Sequence, residues 1–273
     1  MAIASVQTVT SFDRPELTPY RTLRQEHQHW LERIFVAEGE KVVRRLLASD
    51  HEVVSVLLPE KWYDALRPLI EQRPESIQVY TADKKLLEGL TGFSMYQGLL
   101  AVGRRPPPLP LEVAWQRSGP PRLWAAVDGL ANAENLGALV RNCVAFGVQA
   151  LLVGETSCSP YLRRAVRSSM GTIMQLPLVE THQLIAALAQ ARVLGLRCLA
   201  AHPHAERRAI TQVDFTGDCC LVFGSEGEGL SPAIRLACDA AVSIPMPPTV
   251  DSLNVASAAA VFLYEVSRQR QNV

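Results

Sequence analysis

Short apolar strands alternate with helices through the second half of this chain, and this alternation constrains the fold more than any other feature. The apolar pattern predicts four buried strands: LWAAVDG (123–129), ALLVG (150–154), RCLAAH (197–202) and CCLVFG (219–224). It also predicts helices between and after them: 135–146, 159–169, 181–194 and one that begins near Ser231. Buried strands separated by helices are typical of a parallel sheet that is covered on both faces. We therefore predict an α/β fold with a mostly parallel sheet for residues 121–273.

The first third of the chain is predicted to form a separate, small α/β module. Its clearest helix signal is FVAEGEKVVRRLLAS (35–49), in which four apolar residues recur at helical spacing between charges. The remaining pattern predicts strands at 53–59, 76–82 and 97–105 and a helix at 84–92. The first twelve residues carry little pattern, and we expect them to be disordered.

A proline-rich stretch, PPPLPLEVAWQRSGPP (106–121), separates these two parts. Such a composition is typical of a stiff, extended linker. We therefore predict an N-terminal domain over 1–105, a linker over 106–120 and a C-terminal domain over 121–273.

Composition narrows the functional classes only a little. The 273 residues have a formal net charge of zero, so the total does not indicate a nucleic-acid partner, although a neutral total can hide a basic face. The six cysteines form no C-x-x-C pair, and we expect buried, reduced thiols. We see no signal peptide and no apolar run long enough to cross a bilayer, so we expect a cytoplasmic protein.

A glycine-rich segment, VFGSEGEGL (222–230), follows the fourth strand. Its spacing, G-x-x-G-x-G, is the reverse of the dinucleotide fingerprint, which argues against a nicotinamide site of the Rossmann type. His202 and His204 lie nearby in sequence, but no third ligand stands at a suitable spacing, so we predict no metal site.

Another informative segment is IPMPPTVDSLNVASAAAVFLYE (244–265). It ends a further predicted buried strand, Ala240–Met246, and its proline-rich loop precedes an apolar helix. Together with AENLGALVRN (133–142) and VFGSEGEGL, it resembles the SpoU/TrmH family of RNA ribose 2′-O-methyltransferases, which belong to the knotted SPOUT class. The resemblance covers roughly residues 121–270. It implies a trefoil knot in the C-terminal domain, S-adenosylmethionine as methyl donor, and a homodimer formed through the C-terminal domain.

The resemblance also implies two sets of site residues. The implied cofactor-binding set is Gly224, Glu226, Gly227, Gly229, Ile244, Met246, Leu253 and Val255, with Ala256 in the same pocket. The implied catalytic set is Asn135, Arg141, Glu226, Ser252 and Asn254.

Two of the catalytic assignments have structural alternatives. Asn135 stands near a helix start and could serve as a cap, although Asn132 is an equal candidate for that role. Arg141 lies among apolar residues and could form a structural salt bridge with Glu226 or Asp251. The functional alternative is that Arg141 holds the phosphate beside the target ribose or takes part in proton removal. The sequence leaves open whether Arg141 acts as a base or as an electrostatic clamp.

The N-terminal module carries a weaker resemblance. F-V-A-E-G near its start and Q-G-L-L-A-V near its end are similar to the substrate-binding domain of many SpoU/TrmH enzymes, a small α/β fold like a ribosomal RNA-binding protein. Candidate RNA contacts in this module are Arg44, Arg45, Arg104 and Arg105, each of which could instead be an ordinary solvated charge. A fifth candidate, Arg167, lies in an R-x-S-x-G stretch (167–171) that is similar to one family members often carry before a strand.

The sequence therefore predicts an S-adenosylmethionine-dependent RNA 2′-O-ribose methyltransferase, with ribosomal RNA preferred and transfer RNA as the alternative. Two other hypotheses remain: a non-catalytic RNA-binding protein of the same fold, and a methyltransferase that acts on a protein or a small molecule.

Overall fold

The computed structural model describes residues 3–23, 25–91, 98–203 and 208–271. By their contacts the residues form two compact units. Unit 1 comprises Met1–Pro106 and Pro160–Met174, and unit 2 comprises Pro107–Ser159 and Gln175–Val273.

The described residues contain the following elements. The strands are β1 (Ile3–Thr8), β2 (Ile34–Glu38), β3 (Val53–Leu58), β4 (Ile77–Thr81), β5 (Leu100–Arg104), β6 (Leu123–Val127), β7 (Ala150–Val153), β8 (Leu178–Glu180), β9 (Arg197–Ala201), β10 (Cys219–Phe223) and β11 (Ala240–Val242). The α-helices are α1 (Thr18–Arg21), α2 (Glu26–Leu31), α3 (Glu40–Leu47), α4 (Tyr63–Glu71), α5 (Lys84–Thr91), α6 (Leu111–Arg117), α7 (Ala133–Ala145), α8 (Arg163–Ser168), α9 (Leu184–Val193), α10 (Pro232–Ala237) and α11 (Val255–Gln271). Short 3-10 helices span Pro15–Leu17, Glu60–Trp62, Thr172–Gln175 and Ile210–Gln212.

A mixed sheet with the order β1-β4-β3-β5-β2 forms the centre of unit 1. Strands β1, β4 and β3 run parallel, whereas β5 pairs antiparallel with both β3 and β2. The helix predicted from the apolar repeat in 35–49 is α3, and its four apolar residues are all buried. Residues 34–38 at the start of that stretch form β2, because Phe35 and Val36 pair with β5 and are buried in the sheet.

The prediction of disorder at the N-terminus was wrong. Residues Ile3–Thr8 form β1, which pairs along its length with β4. The signal was weak because β1 lies at the edge of the sheet, where only one neighbouring strand satisfies its backbone and alternate side chains remain exposed.

Unit 2 contains the predicted parallel sheet. Its six strands follow the order β11-β9-β10-β6-β7-β8, and every neighbouring pair is parallel. Both faces are covered: Val222 packs in a core with α6, α9 and α10, whereas the next residue, Phe223, meets Phe262 of α11 with ring centroids 5.9 Å apart. Burial on both faces explains why these strands are apolar throughout rather than alternating.

The proline-rich stretch differs from the prediction of an extended linker. Residues Leu111–Arg117 form α6, and Leu111 and Ala114 are buried in the core of unit 2. The following turn is also fixed, because the indole nitrogen of Trp124 donates a 2.9 Å hydrogen bond to the hydroxyl of Ser118. Prolines flank the helix but do not occur within it. The high proline content of the whole stretch therefore led to the prediction of a linker, although the segment between the prolines has an apolar face and forms a helix.

Three further elements of the C-terminal part differ in extent from the prediction. The helix expected over 159–169 is the shorter α8, the strand expected over Ala240–Met246 ends at Val242, and β8 was not predicted. The predicted boundaries of the two domains stay a prediction. Contacts assign residues 160–174, which lie inside the predicted C-terminal domain, to unit 1.

Candidate active site

A pocket lies at the carboxyl edge of the parallel sheet, where three neighbouring strands end. Its volume is about 270 Å³, and its walls come from the segments that follow β9, β10 and β11. Open α/β sheets bind ligands in such crevices outside the carboxyl ends of their strands. We call it the carboxyl-edge pocket. Its lining residues are Ala201, His202, Pro203, Phe223, Gly224, Ser225, Glu226, Gly227, Glu228, Gly229, Ile244, Met246, Asp251, Ser252, Leu253, Val255, Ala258 and Phe262.

The structure brings the whole predicted cofactor-binding set together. All eight residues of that set line the carboxyl-edge pocket, although they come from two segments of the sequence. Ala256 does not line it. Its carbonyl instead accepts a 2.7 Å hydrogen bond from Asn142, which ties the start of α11 to α7. The structure shows that these residues lie around one pocket. Ligand binding by them stays a prediction.

The glycines of the 224–229 loop serve different purposes. The loop closes on itself through two backbone hydrogen bonds between Ser225 and Gly229, of 3.0 and 3.2 Å. A β-carbon on Gly224 would overlap the backbone of Gly229 and Leu230, so this glycine is required by the protein's own packing. Gly229 has a φ of +69°, which favours glycine. Gly227 alone among these three has neither constraint: its φ is not in the left-handed region, and a β-carbon there would meet no atom of the described residues within 4 Å.

Three of the five predicted catalytic residues form a hydrogen-bonded chain. The amide of Asn254 donates to the side-chain oxygen of Asn135 at 3.0 Å, and the amide of Asn135 donates to a carboxylate oxygen of Glu226. One residue comes from each of the three sequence blocks. The chain fixes the orientation of both amides and of the carboxylate, while all three side chains remain at least partly exposed.

Helix caps hold two members of this chain in place. Asn132 is the N-cap of α7 and accepts hydrogen bonds from the backbone of Glu134 and Asn135 at 2.9 and 3.1 Å. Asn135 is therefore not the cap, and its side chain is available to the chain of hydrogen bonds. Asn254 precedes α11 and accepts from the backbone of Ala256 at 3.0 Å while it donates to Asn135, so one amide serves both structure and site.

Arg141 and Ser252 differ in where they lie. Ser252 is exposed and lines the carboxyl-edge pocket. Arg141 is exposed on α7, and a separation of six residues turns it about 120° around the helix from Asn135. Within the described residues Arg141 has no ion pair, so the structural salt bridge to Glu226 or Asp251 is absent. The expectation that its charge is enclosed by apolar residues was wrong, because the apolar neighbours face the core and the guanidinium faces solvent.

Several pocket residues were missed by the sequence reasoning. His202 and its neighbours follow β9, and the Nη1 of Arg235 lies 3.1 Å from the Nε2 of His202. Asp251 and Glu228 add two carboxylates beside Glu226. The signal was the predicted strand 197–202: once β9 is known to lie between β10 and β11, its carboxyl end must meet theirs. The order of strands could not be read from the sequence.

Each arginine predicted to contact RNA has a partner inside unit 1. Arg44 pairs with Glu40 at 2.9 Å, Arg104 with Glu52 at 3.0 Å, and Arg167 with Glu38 at 3.2 Å. The other two contact main chain or ring: the Nη1 of Arg45 donates to the carbonyl of Met170 at 2.6 Å, and the guanidinium of Arg105 lies 5.3 Å from the ring centre of Tyr161. RNA contact by these five residues stays a prediction.

Metal and membrane features were also sought in the described ranges. No group of three or more histidine, cysteine or acidic side chains there is arranged to hold a metal ion. His204 lies outside the described residues. None of the helices described is both long and apolar enough to cross a membrane. All six cysteines are free thiols, and burial raises the pKa of Cys219 to about 11, which keeps that thiol protonated at neutral pH.

The fold and the site define an α/β protein with a partly apolar pocket and an amide–carboxylate chain at the carboxyl edge of a parallel sheet. The model of the SpoU rRNA Methylase family matches residues 122–264. An uncharacterised tRNA/rRNA methyltransferase of Mycobacterium tuberculosis is 34% identical over 281 residues, which cover 98% of this chain and 94% of the relative. The chain therefore belongs to the SpoU rRNA methylase family of RNA methyltransferases, and the resemblance inferred from the three sequence blocks is confirmed.

Solved structures agree with this assignment. A structure described as an RNA 2′-O ribose methyltransferase is 27% identical, with a TM-score of 0.80 and coverage of 98% of this chain and 100% of that one. An AdoMet-bound rRNA methyltransferase from Sinorhizobium meliloti shares the fold with a TM-score of 0.81 at 22% identity, over 96% of this chain and 98% of that one. The predicted α/β class is confirmed. The trefoil knot and the likeness of the N-terminal module to a ribosomal protein stay predictions.

Proposed function

We propose that this protein transfers a methyl group from S-adenosylmethionine to a ribose 2′-hydroxyl of RNA, with ribosomal RNA as the substrate class. The observation that carries the proposal is the carboxyl-edge pocket, which is lined by all eight residues of the implied cofactor-binding set and bordered by the Asn254–Asn135–Glu226 chain. The structure described as an RNA 2′-O ribose methyltransferase supports the same chemistry.

The pocket residues fit S-adenosylmethionine. Ile244, Leu253 and Val255 give apolar walls suited to an adenine ring and a thioether chain. The carboxylates of Glu226 and Asp251 suit the positive charges of the sulfonium and the amine. No atom of the described residues requires a glycine at position 227, and close approach of a ligand to the backbone would explain why no side chain is present there. AdoMet bound to a protein of the same fold supports this assignment.

S-adenosylmethionine would supply an electrophilic methyl group. The protein must orient the ribose hydroxyl, whose oxygen gains the methyl group while its proton passes to the Glu226 carboxylate or to water. Glu226 is held through one carboxylate oxygen by Asn135, so its other oxygen is positioned to accept a hydrogen bond from a ribose hydroxyl. Asn254 donates a hydrogen bond to Asn135 from the other side. Because Asn254 is itself held by a backbone hydrogen bond at the start of α11, the side chain of Asn135 is held in a fixed position. Ser252 provides a hydroxyl at the pocket edge.

Arg141 is proposed as the group that binds the phosphate beside the target ribose. Its guanidinium is exposed and has no ion pair within the described residues, so binding RNA breaks no internal interaction. The planar fork suits two phosphate oxygens. Its very high proton affinity favours the role of an electrostatic clamp over that of a general base.

Four further features complete the proposal. The N-terminal module contributes to RNA binding, the C-terminal domain forms the homodimer and contains a trefoil knot, and the protein acts in the cytoplasm. In support of a dimer, Val261 and Tyr264 lie one turn apart on α11 with 39% and 59% of their surface exposed, so a partner could cover both.

The test is transfer of labelled methyl groups from S-adenosylmethionine to total RNA from cells that lack the protein. We expect label in ribosomal RNA, at a single class of site that becomes resistant to alkaline cleavage because its 2′-hydroxyl is methylated. Label in transfer RNA would show that the substrate is transfer RNA rather than ribosomal RNA, while the proposed methyl-transfer reaction would stand. Binding of RNA without any transfer would indicate a non-catalytic protein, and label in protein would contradict the proposal.

A further inference from the structure

One stretch of the chain leaves the sheet of unit 2 to become part of unit 1. It is residues 160–174, here called the arginine segment, which lies in sequence between the paired strands β7 and β8 but has its contacts in unit 1. Residues 1–106 contain fourteen basic and fourteen acidic residues, whereas the arginine segment adds Arg163, Arg164 and Arg167 and no acidic residue. The net positive charge of unit 1 therefore comes from this segment.

Packing fixes both ends of the arginine segment. Near its start, Tyr161 is buried, and its ring centre lies 5.3 Å from that of Phe35 in β2. Near its end, Gly171 has a φ of +80°, and a β-carbon there would lie 3.2 Å from the Cα of Val42 in α3. Arg45 donates to the carbonyl of Met170. Glycine is thus required at 171 by conformation and by the close approach of α3.

A single carboxylate organises the arginines between these two anchors. Glu38 is the last residue of β2, its side chain is only 11% exposed, and it forms ion pairs with both Arg163 and Arg167. These two arginines are one helical turn apart on α8, so one carboxylate can reach both. The Nε of Arg163 is buried and has no hydrogen-bond partner in the part of the chain that the structure describes, so Glu38 is the main compensation for the charge of that side chain.

The consequence is a fixed orientation for the exposed arginines. The side chain of Arg167 is 64% exposed although it is tied to Glu38 at 3.2 Å, and most of its five N–H donors remain available. Arg164 is also exposed and, three residues before Arg167, lies on the same side of α8. The guanidinium of Arg167, held at its base by a carboxylate and largely exposed, is suited to a phosphate group, and Arg164 adds a second positive charge on the same side of α8.

We propose that the arginine segment is the phosphate-binding surface of unit 1 for RNA, and that Glu38 is a positioning residue that acts through Arg163 and Arg167. The proposal rests on the proposed function as an RNA methyltransferase. It also changes the roles of two predicted RNA contacts: Arg45 and Arg105 attach the arginine segment to unit 1, because their partners are Met170 and Tyr161.

The experiment measures the affinity of the full-length protein for a fluorescein-labelled RNA hairpin as salt is varied. Arg167→Ala should weaken binding by about 10-fold and reduce the salt slope by about one, as loss of one phosphate contact does. Glu38→Gln should also weaken binding, raise the KM for RNA and leave kcat at saturating RNA unchanged. In a chain that already carries Arg163→Ala and Arg167→Ala, Glu38→Gln should have no further effect.

Glu71→Gln is the matched control, because Glu71 pairs at 2.7 Å with Arg67, a residue of unit 1 that is not a predicted RNA contact. It should leave RNA affinity unchanged. Tighter RNA binding by Glu38→Gln would show that Glu38 only neutralises the arginines and does not position them. Unchanged RNA binding by Arg167→Ala would show that the arginine segment is not part of the RNA-binding surface. If the wild-type protein bound neither RNA nor S-adenosylmethionine, the proposed function itself would fail.

Discussion

Two arginines, one in each unit, illustrate how differently the same side chain is held. Arg73 in unit 1 has a side chain that is only 10% exposed, and it donates to the carbonyls of Leu47, Ser49 and His51 while pairing with Glu75 at 2.7 Å. Arg141 in unit 2 is exposed and has no ion pair within the described residues. The donors of Arg73 are used in hydrogen bonds within the protein, whereas those of Arg141 are available to a ligand. Residue type alone therefore does not reveal which role an arginine has.

The largest expected effect is on the stability of unit 1. Arg73→Met should destabilise it by about 3–5 kcal/mol, because the carboxylate of Glu75 and three carbonyls lose their donor in a largely buried place. Burial raises the pKa of Glu75, but hydrogen bonds from Arg73 and from the backbone of Val53 outweigh it and hold the pKa below its ordinary value. Urea unfolding followed by tryptophan fluorescence measures the loss.

Arg67→Met is the control for this comparison. Arg67 forms an exposed pair with Glu71 at 2.7 Å on α4, and such pairs contribute little to stability. If Arg67→Met and Arg73→Met unfolded at the same urea concentration, the buried network around Arg73 would not be structural.

The second prediction concerns catalysis. Arg141→Ala should lower single-turnover methyl transfer by about 100-fold or more, the scale for loss of one electrostatic donor in a transition state, while S-adenosylmethionine affinity and unfolding stay unchanged. Arg141→Lys should restore little, because an ammonium group lacks the planar fork. Arg268→Ala, which removes an arginine paired with Glu265 on α11, should keep full activity. Near-normal turnover in Arg141→Ala would place Arg141 outside the active site.

The third prediction compares a glycine proposed to contact the cofactor with a glycine that lies outside the pocket. Gly227→Val should raise the Kd for S-adenosylmethionine by about 10-fold or more, the cost of forcing extra carbon into a filled site, without changing stability. Gly217→Val is the matched control, since among the described residues a β-carbon at either position meets no atom within 4 Å. Calorimetry measures both. Equal affinities in the two variants would mean that the backbone at Gly227 does not face the cofactor.

The sequence predicted the parallel sheet of unit 2 better than the mixed sheet of unit 1. Strands such as Cys219–Phe223 are apolar throughout because both of their faces are buried, so composition alone identified them. In unit 1, β1 was missed because it is an edge strand, and β2 was read as helix because the residues Ile34–Glu38 run directly into the stronger helical repeat of α3.

The active site divides in the same way. The cofactor set came from the family resemblance, because its residues lie in two compact motifs that can be recognised without knowing the fold. The structure places these residues around one pocket, and their binding of a cofactor stays a prediction. His202 was missed because its position depends on β9 lying between β10 and β11, which is a long-range pairing that no local pattern encodes. The partners of Arg45 and Arg167 were missed for the same reason: Met170 and Glu38 are more than a hundred residues away in the chain.

The smallest expected effect is an acid sensitivity of unit 1 that originates at His51. The imidazole packs against the rings of Phe35 and Tyr161, and burial lowers the pKa of His51 below its ordinary value of 6.5, opposed by Asp50 and aided by Arg73. In the unfolded chain the same group takes up a proton near pH 6.5. As the pH falls through 6.5, the unfolded state therefore binds the proton first and the folded state loses stability, whereas well above 6.5 the group contributes no pH dependence.

His51→Gln should remove this dependence. The contribution of one proton cannot exceed about 1.4 kcal/mol per pH unit, so the wild-type protein should lose up to that much more stability than the variant between about pH 6.5 and 5.5. Urea unfolding at about pH 5.5, 6.5 and 7.5 provides the comparison. His182→Gln, at an exposed histidine of unit 2, should behave like the wild type. If His51→Gln lost as much stability on acidification as the wild type, the imidazole would not be the source of the acid sensitivity, and its burial against Phe35 and Tyr161 would not lower its proton affinity in the folded protein.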